Sequence, residues 1–145
     1  MSTVSQVPDE ARVKYLELLQ AVITRFGTNS FLVKSWSLAV SGGLVTVAAG
    51  GAGWAVALIA LVTTLGFWLL DTYYLEQERL FRSLYDRSLA PESGQVPLFS
   101  MDVERYAQSV PWRVVALSRT MRLFYGTFAL ADAAAAVVLV TRSQR

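Results

Sequence analysis

The chain has 145 residues, with 13 Lys and Arg against 11 Asp and Glu; 54% of it is hydrophobic and 17% is charged. An apolar share above the roughly 45–50% of a soluble domain, with charge below the usual quarter, excludes a disordered chain and points to a one-domain integral membrane protein. The absence of His and Cys excludes Ser-His and Cys-His catalytic pairs, disulfides and the usual zinc, haem and iron–sulfur ligands, so no metal and no cofactor are expected, and a net charge of +2 spread along the chain leaves no nucleic-acid footprint.

Residues 8–27 read as an amphipathic helix. Pro8, Asp9 and Glu10 suit its first turn. Tyr15, Leu16, Leu18, Leu19, Val22, Ile23 and Phe26 share one face, with Lys14, Glu17, Gln20, Thr24 and Arg25 opposite. Gly27 is expected to end this helix, and Asn29 or Ser30 to cap the next. The helix either joins a bundle or lies flat on a bilayer.

Between Lys34 and Asp71 lie 36 residues without a charge. One membrane-spanning helix needs ~20, so this stretch predicts two spans, 35–49 and 54–70, joined by a turn at Gly50-Gly51-Ala52-Gly53. The glycine cluster is not a phosphate loop, because no GK[ST] follows it. From Asp71 to Leu89 there is no Pro or Gly, so the second helix is predicted to continue to residue 89. At 1.5 Å per residue it is roughly 54 Å long, well beyond the ~30 Å of a hydrocarbon core. Its projecting part has Tyr73, Tyr74, Gln77, Leu80, Phe81, Leu84 and Tyr85 on one face, with Glu76, Arg79, Arg82, Asp86 and Arg87 opposite. Glu78 stands four residues before Arg82, a favourable spacing.

Pro91, Gly94 and Pro97 mark a loop over 90–110. Pro111 opens a continuous helix over 112–141, and its apolar part, 123–140, is a third span with one charge, Asp132. A re-entrant or interfacial helix is the alternative for that stretch. The predicted fold is all-α: a polytopic membrane protein with three transmembrane helices and a juxtamembrane cytosolic helical bundle. Eleven of the 13 basic residues fall before the first span or between the second and third. The positive-inside rule then puts the N-terminus in the cytoplasm, and the hairpin tip and C-terminus outside. No signal peptide precedes the first span.

Asp132 is the sharpest candidate site. A carboxylate at the bilayer midplane costs roughly 2.5–3.5 kcal/mol on the insertion scale, so it faces protein or water, or is protonated. Thr46, Thr63 and Thr64 are expected at similar depth, which makes these four an intramembrane polar path. An inter-subunit contact and a tolerated neutral Asp are the alternatives. Lys34 and Asp71 are expected to pair at the inner interface, with a catalytic carboxylate as the lesser reading of Asp71. Lys34, Arg79, Arg82, Arg119 and Arg122 are placed to hold an anionic ligand or lipid head groups. The face made by Tyr73, Tyr74, Gln77, Phe81, Leu84 and Tyr85 suits a protein partner. Small residues four apart, in the sets Ser35, Ala39, Gly43 and Ser37, Ser41 and Ala129, Ala133, suit helix packing within one chain or between copies. Trp36, Trp54, Trp68, Tyr73 and Tyr74 read as an interfacial aromatic belt.

Several short stretches carry a resemblance. They are Asn29-Ser30-Phe31 with Lys34 and Trp36-Ser37, then Phe67-Trp68, Leu70-Asp71, Tyr73-Tyr74-Leu75, Gln77-Glu78-Arg79-Leu80-Phe81-Arg82 and Leu84-Tyr85. The stretches at Phe99-Ser100-Met101-Asp102, Ser118-Arg119-Thr120 and Leu123-Phe124-Tyr125-Gly126 add to it. Over residues 15–126 the chain resembles a family of small bacterial inner-membrane proteins that carry an NSF-K-W segment and an FW-LD-YYL-QERLFR-LY segment. The resemblance implies an association with antiphage defence genes, including TIR-like and nucleotide-handling proteins. This sequence departs from the family pattern at Asp132, where relatives are expected to be apolar, so the resemblance gives that residue no role.

Three functions follow as expectations. The first is a self-associating membrane effector that opens a pore or ion leak on a cytosolic signal. The second is a non-catalytic membrane anchor or scaffold for a cytosolic partner enzyme. The third, an enzyme using Asp71 or Asp132, ranks last, because no second catalytic group converges with either carboxylate.

Overall fold

A computed structural model describes residues 9–90 and 97–143, and no strand occurs among them. Pro8, Pro91, Gly94 and Arg145 lie outside the described residues.

Helix α1 runs without interruption over Asp9–Val47, 39 residues. The expected stop at Gly27 and fresh start at Asn29 or Ser30 do not occur. Gly27 faces the next helix, where an added Cβ would sit 3.5 Å from Glu78 Oε2. One residue earlier, the Phe26 ring stacks on Phe81 with centroids 5.6 Å apart. Packing on both sides of the glycine outweighs its intrinsic helix cost of ~1 kcal/mol. Ser30 is spent on a buried hydrogen bond instead of a cap.

The chain reverses through a wide π-type turn at Ala48–Ala52. Gly51 has φ 114° and Gly53 φ 89°, a region that a side chain strongly disfavours. Helix α2, Trp54–Leu89, then returns antiparallel to α1 for 36 residues. Near its end the Arg12 guanidinium donates to the Ser88 carbonyl at 3.0 Å, serving one of the acceptors a helix C-terminus leaves open.

The expected loop does more than connect. Ser100 N–H donates to Pro97 O at 3.1 Å, closing a turn in which Phe99 has φ 62°. The Tyr15 hydroxyl donates to Ser100 O at 2.7 Å, and its ring meets Phe99 edge-on at 5.8 Å. Leu98, Val103 and Tyr106 pack with Phe81 and Tyr85 around the buried Tyr15, Leu19 and Leu84. A short 3₁₀ turn, Glu104–Tyr106, holds the last of these in place.

The third long helix is shorter than expected. A five-residue helix α3, Trp112–Ala116, is separated by a break at Leu117 and Ser118 from α4, Arg119–Ser143. The indole of Trp68 donates to the Ala116 carbonyl at 3.1 Å, and Trp112 packs edge-on against Trp68 at 6.1 Å. An unbroken helix would need that carbonyl for the amide of residue 120. Where a third helix is expected to join α1 and α2 in the charged half, the 97–106 segment packs instead, while residues 112–116 lie against α2 at Trp68.

The helix hairpin thus has two halves. In the charged half the core is Tyr15, Leu19 and Leu84. In the apolar half the small core is Ala48, Ala57 and Ala136, flanked by Val56 and Leu139. There the exterior is apolar: Phe31 is 68% exposed, Val62 68% and Leu130 73%. Three helices, α1 with its turn as far as Gly51, α2 and α4, are long and apolar enough to cross a membrane.

Candidate functional site

The buried polar side chains line up inside the apolar half. On α1, Ser30, Lys34, Ser37 and Ser41 recur at helical spacing and face α2. Asp71, at 0% exposure, accepts from the Ser30 hydroxyl through Oδ1 at 2.5 Å. Lys34 Nζ lies 2.6 Å from Asp71 Oδ2 and donates to Ser30 Oγ at 2.8 Å. The ammonium meets Oδ2 away from hydrogen-bonding geometry, so charge rather than a directed bond holds that oxygen. A like pair with one partner removed would strand a buried charge, at ~3–5 kcal/mol. Tyr125 of α4 is buried beside this pair, with its hydroxyl against Asp71.

Two helical turns further, a second group forms. Asp132 is 2% exposed. Its Oδ2 is 2.7 Å from Thr64 Oγ1, and Thr64 Oγ1 is in turn 2.8 Å from Ser41 Oγ. One hydroxyl has one proton, which fixes the order of donors. With Asp132 ionised, Ser41 donates to Thr64 and Thr64 to Asp132. With Asp132 protonated, both bonds reverse: Asp132 donates to Thr64 and Thr64 to Ser41. Between the two groups, Ser37 is fully buried and its hydroxyl has no partner. Beyond Asp132, the Ala48–Ala57–Ala136 cluster closes the column with methyl groups.

Of the expected path, Thr64 is in contact with Asp132, while Thr46 and Thr63 are not. Each of those two donates to its own helix backbone, Thr46 to Gly42 O at 2.9 Å and Thr63 to Ile59 O at 2.8 Å. Ser41 and Ser30 are the partners that sequence reasoning passed over, having treated them as a packing residue and a cap. The signal was the spacing of Ser30, Lys34, Ser37 and Ser41, which places four polar groups on one face of a span.

The basic residues do not form one cluster. Lys34 is committed to Asp71, and Arg82 pairs with Glu78 at 2.6 Å. Arg119 and Arg122 are exposed at the start of α4. Arg122 sits at the rim of an apolar cavity of about 230 Å³ between α2, α3 and α4, which reaches the column at Thr64 and Tyr125. Arg79 is half-buried on α2. The expected partner face is mostly spent within the chain: Leu84 is buried in the charged-half core with Phe81 and Tyr85 against it, and Tyr74 meets Phe26 at 6.3 Å. Gln77 is half-buried, and of the six only Tyr73 stays exposed. Among the described residues no three acidic side chains come together as a metal site. The small residues divide: Ser37 and Ser41 face inward, while Ser35, Ala39 and Gly43 stay on the outer face of α1.

In comparisons with known proteins, no family model, no curated protein and no solved structure matches the chain.

Proposed function

We propose that the chain is an integral protein of the bacterial inner membrane, N-terminus in the cytoplasm and C-terminus outside, and that it acts as a self-associating membrane effector. On a cytosolic signal it opens an ion leak, as part of a defence response in which a TIR-like or nucleotide-handling partner supplies the trigger. The observation that carries this reading is Asp132, a carboxyl group buried in the apolar half and hydrogen-bonded to the Thr64 hydroxyl. An ionisable residue at that depth is expensive and marks a conduction or relay site by default. The exposed Ser35, Ala39 and Gly43 offer a close-packing face for a second copy. The charged half, with its apolar core on the same two helices, is the sensing part.

The experiment is dye-monitored membrane potential in cells and in vesicles holding the purified protein, with native mass measured in mild detergent. Collapse of the potential on activation, altered by Asp132→Asn, supports the effector. A monomer that leaves the potential intact under every trigger tested refutes it and favours the anchor. That second reading has one observation of its own: an open polar cleft of about 770 Å³ in the charged half, lined by Ser83, Asp86, Arg87, Arg105, Gln108 and Ser109 among others.

A further inference from the structure

Asp132 and Asp71 sit on different helices and in different company. Thr64 from α2 and Ser41 from α1 face Asp132. Lys34 and Ser30 from α1, with Tyr125 from α4, face Asp71. On α2 the distance from Thr64 to Asp71 is seven residues, roughly 10 Å along the axis. Ser37 is on α1 between the two groups, its hydroxyl buried and unpaired, and Tyr125 borders the lower one. Buried hydroxyls with no protein partner are the groups that internal water serves, with about three hydrogen bonds per molecule. The interval is therefore polar at both ends and at its middle.

We propose that this column is a proton relay: the species that crosses the apolar half is H⁺, passed from Asp132 through Thr64, Ser41 and water at Ser37 to Asp71. The proposal rests on the effector reading only for its direction and trigger. The transfer balances at each step. A proton taken up on Asp132 is donated to Thr64 Oγ1, the Thr64 proton goes to Ser41 Oγ, and the Ser41 proton goes to water at Ser37. That water passes a proton along a file of waters to Asp71, which releases one to the cytoplasmic side. Only O–H bonds form and break, each oxygen gains and loses one proton, and Lys34 stays an ammonium throughout. Rotation of the hydroxyls restores the starting order. The reversible donor order at Thr64 and Ser41 is what an ion other than H⁺ would not need. Among the described residues, neither α4 nor the stretch between Lys34 and Asp71 has a second carboxylate to join Asp132 in replacing the hydration shell of a metal cation. The alanine cluster at Ala48, Ala57 and Ala136 is the closed end, and displacement of α4 there admits the proton.

The test uses the full chain in vesicles of bacterial phospholipid. Infrared difference spectra on transfer from H₂O to D₂O read the Asp132 carboxyl directly, through a C=O band identified by its loss in Asp132→Asn. The band is expected to shift on exchange, and Thr64→Val or Ser37→Val is expected to slow that shift about tenfold or more. Ser37→Ala, a milder change, is the second variant if Ser37→Val fails to fold. No Asp132 carboxyl band at any pH where the protein stays folded overturns the relay, as does exchange in these variants as fast as in the native chain. Ion flux separates this failure from that of the effector. A leak that carries H⁺, excludes K⁺ and vanishes in Asp132→Asn supports the relay. A leak that passes K⁺ equally and survives Asp132→Asn overturns the relay and leaves the effector standing. Normal exchange with no leak under any trigger removes the effector and keeps the relay.

Discussion

The same two helices build two opposite interiors. In the charged half, α1 turns Tyr15 and Leu19 inward and Lys14 and Glu17 outward. In the apolar half the same helix turns Ser30, Ser37 and Ser41 inward and Phe31, Trp36 and Leu38 outward. Helix α2 inverts in step, from Leu80 and Leu84 inside to Thr64, Asp71 and Thr72 inside. The hydrophobic effect drives packing only where the alternative is water. Where the surroundings are as apolar as leucine, small and polar residues hold helices together. Under the proposed membrane insertion, the inversion puts the change of solvent along the hairpin at the level of Ser30 and Asp71.

The largest effects are expected at that level. Lys34→Met leaves Asp71 as an uncompensated buried charge and is expected to destabilise the fold by ~3–5 kcal/mol. Adding Asp71→Leu is expected to restore most of the loss, because a buried pair exchanged for apolar residues is often neutral. Equilibrium unfolding in detergent micelles measures both. If the single variant is harmless, the pair does not fix the hairpin register at the seam.

Next in size is a contrast between the halves. Leu84→Ala removes a fully enclosed side chain from the charged-half core and is expected to cost ~2–5 kcal/mol. Leu130→Ala, where Leu130 is 73% exposed on the apolar half, is expected to change stability by less than ~0.5 kcal/mol. Equal losses in the same unfolding assay would mean that Leu130 is covered by protein, and the simplest cover is a second copy. That outcome would move the self-association face from α1 to α4.

A smaller effect is expected at the turn that closes the charged core. Tyr15→Phe keeps the ring against Phe99 and deletes the hydroxyl that donates to Ser100 O. A hydrogen bond of this kind is worth about 0.5–1.5 kcal/mol net. Phe99 holds a left-handed backbone, which costs a non-glycine residue roughly 1–2 kcal/mol, so the Tyr15 contacts are what keep the turn in place. Hydrogen exchange at Ser100 N–H, bonded to Pro97 O, is expected to rise in Tyr15→Phe. Unchanged protection would show that the turn stands without Tyr15.

Much of this architecture is legible in residue types alone. The uncharged stretch after Lys34 announces two long apolar helices, and the glycines at 51 and 53 have the backbone angles that only glycine takes easily. The missed features share a cause: each depends on a contact between distant residues. Gly27 reads as a helix end until Glu78 and Phe81 pack beside it. The break after Ala116 has no Pro or Gly to announce it; the carbonyl there accepts from the distant indole of Trp68. Thr46, Thr63 and Thr64 look alike in sequence, yet only Thr64 lies at the angular position where α2 faces α1 and α4. Ser41 pairs with Thr64 across 23 residues of chain, a relation that local spacing does not encode.

The smallest expected effect tests where the seam between the two solvents ends. Glu76 follows Asp71 by five residues on α2 and is half-buried; burial pushes its carboxyl up from the ordinary value of 4.5. A raised carboxyl favours the neutral form in the fold. Its contribution is complete below the ordinary carboxylate range and is lost as pH rises through the raised value. Glu76→Gln keeps the shape without the charge. It is expected to match the native chain in acid and to be slightly more stable at neutral pH, with the difference growing between the ordinary and the raised value and then levelling off. Unfolding midpoints across that pH range measure it. A difference that is constant with pH would place Glu76 fully in water, and the aqueous half of the hairpin would then begin within two turns of Asp71.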